Sequence, residues 1–245
     1  MSSLDTEHIY VVHYTRLKDR YISIEKQRED FNISNPLTYI SEFDQEELSD
    51  DLLNKYYNNS KENYEDKVRP LWDLNIHSYR ELNKPELSCT IKHIEAVGEV
   101  SKNCKEHGLI LEDDAVLKTD FISSFNKFLS ITPEDWDVIL IGEGCGDWFI
   151  KNKVSNLDPH SKDGAKSVFK VPHPATNCAE AYLIKSKAAK SVYKSSIPFN
   201  LVSDWELGYQ FFKLNLNVYW WVPSLVFQGS KTGQYNSTLD QGQRR

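Results

Sequence analysis

The stretch Gly108-Leu109-Ile110-Leu111-Glu112-Asp113-Asp114-Ala115-Val116 constrains this chain more than any other. Apolar residues run without alternation into three consecutive carboxylates, and an apolar run resumes directly after them. Such a run reads as a strand buried on both faces, in a parallel or mixed sheet flanked by helices. Crowding three acids at its end costs repulsion and desolvation unless a cation offsets it. A hard divalent ion with oxygen ligands would do so, and the carboxyl ends of strands are where open α/β sheets place ligands. The ordinary alternative is a solvated acidic turn after a core strand.

The surrounding chain narrows the partners. A net charge of −7 with no basic cluster argues against nucleic acid or an anionic membrane surface. No apolar run approaches the roughly 18 residues of a membrane span, and Met1 to His8 is polar and acidic, unlike a signal peptide. A cytoplasmic or cytosol-facing protein with no transmembrane segment is expected. Cys89, Cys104, Cys145 and Cys178 lie far apart with no C-x-x-C pair, which predicts buried thiols rather than zinc or disulfides. Asn32, Asn58 and Asn236 open glycosylation sequons that carry no meaning without secretion.

Taken in order, Ile9 to His13 reads as a first strand and Leu17 to Phe31 as a helix, with Pro36 to Ile40 a second strand. This β-α-β start gathers its loops at one sheet edge. Residues 45–84 are polar and poor in aliphatics, predicting short helices in a surface excursion or a mobile flap. Pro85 marks a helix start, and the stripe Leu87, Ile91, Ile94, Val97 carries that helix toward Gly108. After the acidic strand come a helix with Phe121, Phe125 and Phe128 and a buried strand at Trp136 to Gly142. The loop-rich stretch Gly142 to Gly164 follows. Short strands are expected at Ser167–Val171 and Ala181–Ile184, helices at Ser186–Ser195 and Asp204–Leu214, and a strand at Val218–Trp221. With no repeat and no linker, 245 residues read as one domain, 1–245.

An ordered set of segments resembles glycosyltransferase family 25, the lipooligosaccharide and collagen-type galactosyl- and glucosyltransferases. The segments are Ile9 to Arg20, Leu87 to His93, Leu109 to Asp114, Trp136 to Gly142, Thr176 to Ile184 and Pro223 to Ser230. The chain departs from the family at Lys92, where Ser commonly precedes the histidine, and at Asn177 to Glu180, where the family tends to have Gly-Thr-His or similar. The resemblance implies an α/β, GT-A type domain with a mixed, mostly parallel central sheet flanked by helices. It also implies a nucleotide-sugar donor, a divalent metal and inversion at the anomeric carbon.

On that resemblance Glu112-Asp113-Asp114 corresponds to an Asp-x-Asp element. Asp114 would bind Mn²⁺ or Mg²⁺, with Glu112 on the ion's water or the donor ribose, and an extended backbone would turn Glu112 and Asp114 to one side. Asp204 matches the family's acidic residue and is a candidate base, but Asp at a helix start is also a favoured cap. Glu206 is a second candidate base, or a first-turn acid. Tyr14, Arg16 and Arg20 follow the first strand, where the donor would lie, and Arg suits phosphate. For Arg16 a charged surface loop is the alternative. Phe43 and Asp44 would hold the uracil edge or form a turn.

His93 lies in the apolar helix stripe as a supporting contact to the donor site, and His173, between two prolines, would reach the metal. Gln228, Gly229 and Ser230 would touch the diphosphate, and Asp113 completes the acidic group. Trp148, Trp205, Trp220 and Trp221 are candidates for stacking on sugars, with Trp220 or Trp221 required for the core.

The expected activity is metal-dependent, inverting transfer of galactose or glucose from a UDP-sugar to a hydroxyl of a saccharide or glycoprotein acceptor. The competing reading is a catalytically silent transferase-like binding domain. A receiver domain is excluded because Val138-Ile139-Leu140-Ile141 ends in Gly142-Glu143-Gly144 without a phosphoacceptor Asp. There is no Walker pattern and no G-x-S-x-G.

Overall fold

The computed structural model describes residues 3–143, 154–174 and 179–236. Cys145, Trp148, Thr176, Asn177, Cys178 and Ser237–Arg245 lie outside them.

Period-two burial builds the central sheet. In β1 (Ile9–Val12) every residue is buried, Tyr10 and Val12 joining the core on one face and Ile9 and Val11 the other. The same split recurs in β3 (His107–Glu112), where Ile110 opposes Leu109 and Leu111. A strand with both faces covered cannot alternate with polar residues, which is why these segments read as unbroken apolar runs.

With β2 (Leu37–Ile40), β4 (Ala115–Leu117), β5 (Val138–Leu140), β6 (Val168–Lys170), β7 (Ala181–Lys185), β8 (Val218–Trp221) and β9 (Val226–Gln228), the strands form two sheets. Seven are ordered β2-β1-β3-β7-β5-β8-β6, and β4 pairs with β9 alone. β2, β1 and β3 run parallel, as do β5 and β8, whereas β7 and β6 are antiparallel to their neighbours. The expected mixed, mostly parallel sheet is therefore present. The β4–β9 ribbon was not foreseen. It is short, and its pairing joins residues more than 100 positions apart, as in Ala115 with Gln228.

Helices cover both faces. α1 (Lys18–Asp30) and α5 (Phe121–Ile131) place Ile24, Phe121, Phe125 and Phe128 on one. α4 (Lys84–Asn103), α6 (Ser186–Ser196) and α7 (Ser203–Lys213) place Val97, Ala189 and Leu207 on the other. α4 opens on a capping box in which Asn83 and Glu86 each accept from the other's backbone N–H, with Pro85 in the first turn. It stops at Asn103, short of Gly108, because the chain needs residues to turn into β3 at His107. Trp220 and Trp221 are both fully buried, on opposite faces, so neither meets a ligand.

The polar excursion contains the expected short helices, α2 (Asp50–Tyr56) and α3 (Lys61–Val68), each capped by a serine side chain. It is packed rather than a flap. Tyr56 is buried against the α4 side with Ile91 and Phe199, and Tyr64 and Val68 are buried against Leu201 and the aromatics of α7. Lys67 reaches across to Glu206, with Nζ 2.8 Å from each carboxylate oxygen. Glu206 also accepts from Gln210 at 2.7 Å and from the backbone N–H groups of Asn200 and Leu201 at 3.3 Å. This fully buried carboxylate is an anchor for the excursion, which corrects its reading as a candidate base.

Removing one partner of a buried, hydrogen-bonded pair strands the other. Lys67→Met is expected to lower unfolding free energy by roughly 3 kcal/mol in urea titrations. Lys61→Met, at an exposed pair with Glu65, should change little.

Candidate active site

β1 and β3 lie side by side with Val12 opposite Glu112, so the residues that follow, His13 and Asp113, meet at the same sheet edge. There the chain turns: Asp113 and Asp114 form a turn between β3 and β4. The extended geometry expected to align Glu112 with Asp114 is absent, and the three acids take three different environments.

Asp113 is buried and saturated. His13 Nδ1 donates to it at 2.9 Å, Arg20 Nη1 at 2.7 Å and the Tyr14 backbone N–H at 3.1 Å. Burial pushes its pKa up, but the His13 bond and the Arg20 charge outweigh that and hold it below the ordinary carboxylate range. It is therefore a fixed structural anion.

Glu112 remains partly exposed, with its Oε1 3.2 Å from His93 Nε2 and its Oε2 3.4 Å from Gln228 Nε2. His93 is wholly buried, and its other ring nitrogen lies 3.3 Å from the Tyr182 hydroxyl.

Asp114 is 2% exposed. Among the described residues its Oδ1 is buried without a hydrogen-bond partner, and its Oδ2 accepts from the Ser230 N–H at 3.3 Å. Burial and the Glu112 charge push its pKa up to about 6. The Gly229 N–H donates to the Asp114 carbonyl at 2.8 Å, and a Cβ at Gly229 would sit 2.9 Å from that oxygen, so this close approach requires glycine.

Asp204 lies in the first turn of α7, whose N-cap is Val202. The cap reading of Asp204 is thereby overturned. Its carboxylate accepts from the neighbouring Trp205 N–H at 2.9 Å. Burial and the charge of Glu112 push its pKa up to about 6. Asp114 and Asp204 thus share the charge of Glu112 as the second cause of their raised pKa values, after burial.

The cleft above these acids is bounded by Tyr14, Arg20, Cys89, Gln228 and Ser230. Arg20 is fixed by Asp113 and by the Asn236 carbonyl at 2.8 Å.

Other predicted residues stand elsewhere. Arg16 is exposed and pairs with Glu46 at 3.0 Å. Tyr14 donates its hydroxyl to Glu46 at 2.7 Å. Asp44 is buried and ion-paired with Lys92, so it offers no free edge to a base. Phe43 rests on Tyr56 and accepts from Ser88 through its carbonyl at 2.7 Å. His173 bonds the Leu71 carbonyl at 2.7 Å and meets Trp72 edge-on, and no described contact joins it to the acids. It was the histidine expected near the acids; the one beside Glu112 is His93. Trp205 stacks on Trp72 at 4.8 Å.

Three residues were missed. Lys92, nearly inaccessible, bonds the His13 carbonyl and Asp44 and ties α4 to both strand ends. A lysine inside an apolar helix stripe was its signal. His13 stood at the end of a strand but had no pattern of its own. Cys89, expected to be buried, is partly exposed and faces the cleft.

Comparison with known proteins places the chain in a class. The signature of glycosyltransferase family 25 (LPS biosynthesis protein) matches residues 6–206. The chain belongs to this family and is a glycosyltransferase. No curated protein matches it. Among solved structures, A197 from STIV aligns at 11% identity, covering 92% of this chain and 83% of that one, with a TM-score of 0.39. Mouse xyloside xylosyltransferase 1, apo form, aligns at 11% identity over 86% of this chain and 70% of that one, with a TM-score of 0.35. Among the described residues, no helix is long and apolar enough to cross a membrane.

The raised pKa of Asp114 has a signed consequence. A carboxyl that holds its proton more tightly when folded contributes stability fully present below its unfolded pKa of about 3.8. That contribution is lost as pH rises through about 6. Metal-free Asp114→Asn should therefore melt near wild type at pH ~4 and above it at pH ~8. A difference in Tm that does not change with pH contradicts this.

Proposed function

We propose that this glycosyltransferase moves a hexose, galactose or glucose, from a UDP-sugar to a hydroxyl of a saccharide or glycoprotein acceptor, with inversion and with Mn²⁺ or Mg²⁺ bound. The observation that carries the metal reading is Asp114 Oδ1, a buried carboxylate oxygen lining the cleft with no partner among the described residues. Asp114 and Glu112 would hold the ion, and their all-oxygen set suits a hard cation. When bound, such an ion supplies charge stabilisation for the departing nucleoside diphosphate.

The chain's own residues do the rest. Arg20, fixed by Asp113, presents its remaining N–H donors toward the diphosphate, and Gln228 and Ser230 border the same space. Inversion by one displacement needs a base on the face opposite the leaving group. Asp204, with a pKa near 6, is ionised at neutral pH yet basic enough to take the acceptor hydroxyl's proton. The described residues act as one domain, with the excursion walling the acceptor side beside Trp205.

The test is a thermal-shift panel of UDP-galactose, UDP-glucose, UDP-N-acetylglucosamine and GDP-mannose, each with and without Mn²⁺. A donor at ~100 times its Kd should add about 2.7 kcal/mol to the folded state. One UDP-hexose stabilising only with metal is expected. No response to any donor would leave a silent binding domain. Asp114→Asn should lose the metal-dependent shift, whereas Asp204→Asn should keep it and lose transfer by at least ~100-fold. Wild-type kcat/KM should rise with pH and level off above about 6.

A further inference from the structure

Cys89 and His93 stand four residues apart on α4 and so share a face of the helix. That face meets the end of β3, where Glu112 stands. One ligand-capable atom from each, the Cys89 Sγ, a His93 ring nitrogen and a Glu112 oxygen, lie within 4.8 Å of one another. The role given above to Glu112 does not use the thiol, and nothing in donor chemistry calls for one.

We propose that Cys89, His93 and Glu112 form a binding site for a borderline-soft divalent cation, zinc or cobalt, beside the hard-oxygen position at Asp114. The proposal stands on these three side chains and does not require the donor reading.

The donor set decides the class of ion. One sulfur, one imidazole and one carboxylate match zinc, whose three-ligand sites keep a fourth position for water or substrate. The 3.2 Å between His93 Nε2 and Glu112 Oε1 is close to the ~3.3 Å that separates two ligands of a tetrahedral ion with ~2 Å bonds. Little movement is therefore needed on that edge. The Tyr182 hydroxyl on the other ring nitrogen orients the imidazole, as a metal-bound histidine requires. Cys89 is partly exposed in the cleft, which leaves solvent a route to the open position.

The surroundings favour a cation. Burial and the charges of Glu112, Asp204 and Asp113 hold the proton on the Cys89 thiol. Binding therefore exchanges that proton for the metal: the S–H bond breaks, S–Zn forms and the proton leaves to solvent. Because the proposed hard-ion position also uses Glu112, zinc here opposes metal-dependent donor binding; this consequence rests on the donor reading, whereas the three-ligand site does not.

The experiment uses the full chain stripped with chelator. Zn²⁺ alone is titrated calorimetrically, and Co²⁺ is added in parallel to read thiolate-to-cobalt charge transfer in the near ultraviolet. Wild type should bind one ion and show the band. Cys89→Ser should bind more than tenfold more weakly and lose the band. Asp114→Asn should keep both. Cys89→Ala serves if the serine variant does not fold. Equal zinc affinity in wild type and the Cys89 variants, or a cobalt band that survives without Cys89, overturns the proposal. Zinc binding without any donor response to Mn²⁺ would sink the donor reading and leave this one standing. A Mn²⁺-dependent donor response with no zinc site would do the reverse.

Discussion

The bond set around Asp113 is what the rest of the site depends on. β1 and β3 are parallel neighbours, so His13 and Asp113 emerge together, and Arg20 comes back from α1 to close the group. A buried carboxylate is costly unless its charge is met, and here a histidine, a guanidinium and a backbone N–H meet it. The result fixes the turn that presents Glu112 and Asp114 and also holds Arg20 in place. Lys92 performs the matching task on the other side, joining Asp44 and the His13 carbonyl to α4. Two buried ion pairs thus pin the loops that leave β1, β2 and β3.

Against that scaffold the neighbouring acids differ by environment rather than by residue type. Asp113 is satisfied and held below the ordinary carboxylate range; Asp114, one residue on, is buried with its Oδ1 unpartnered among the described residues, and its pKa is driven up to about 6. Glu112 sits between them on His93 and Gln228. Pairs of like groups pushed apart in this way are how a site separates structural from chemical roles. The β4–β9 ribbon contributes to the difference, because it brings the Gly229 and Ser230 backbone N–H groups onto Asp114.

The excursion between β2 and α4 has a comparable logic. Its few aliphatics cannot support a core of their own, so it folds onto α7 through aromatic stacking and the Lys67–Glu206 pair. That contact sets the first turn of α7, and with it Asp204 and Trp205. Glu206 and Asp204 are two residues apart on one helix, yet one is paired with a lysine and the other lies near the charge of Glu112.

Much of the architecture was legible in the chain because it depends on local pattern. Unbroken apolar runs at Ile9, Leu109 and Val218 gave strands with two covered faces, and the stripe Leu87, Ile91, Ile94 gave α4. Three adjacent carboxylates at a strand end pointed to the cleft that they line, since such crowding is costly without help. What each carboxylate does was not legible. It depends on the register that places Val12 beside Glu112, on Lys67 reaching Glu206 from 139 residues away, and on Gly229 returning to Asp114 from 115 residues later. Sequence by itself determined the kinds of element and the presence of an acidic site. Only the tertiary structure decided which acid is paired, which histidine reaches it and which cysteine faces the cleft. Charge is offset by whatever lies within a few ångströms, and proximity across long sequence separations is set by packing.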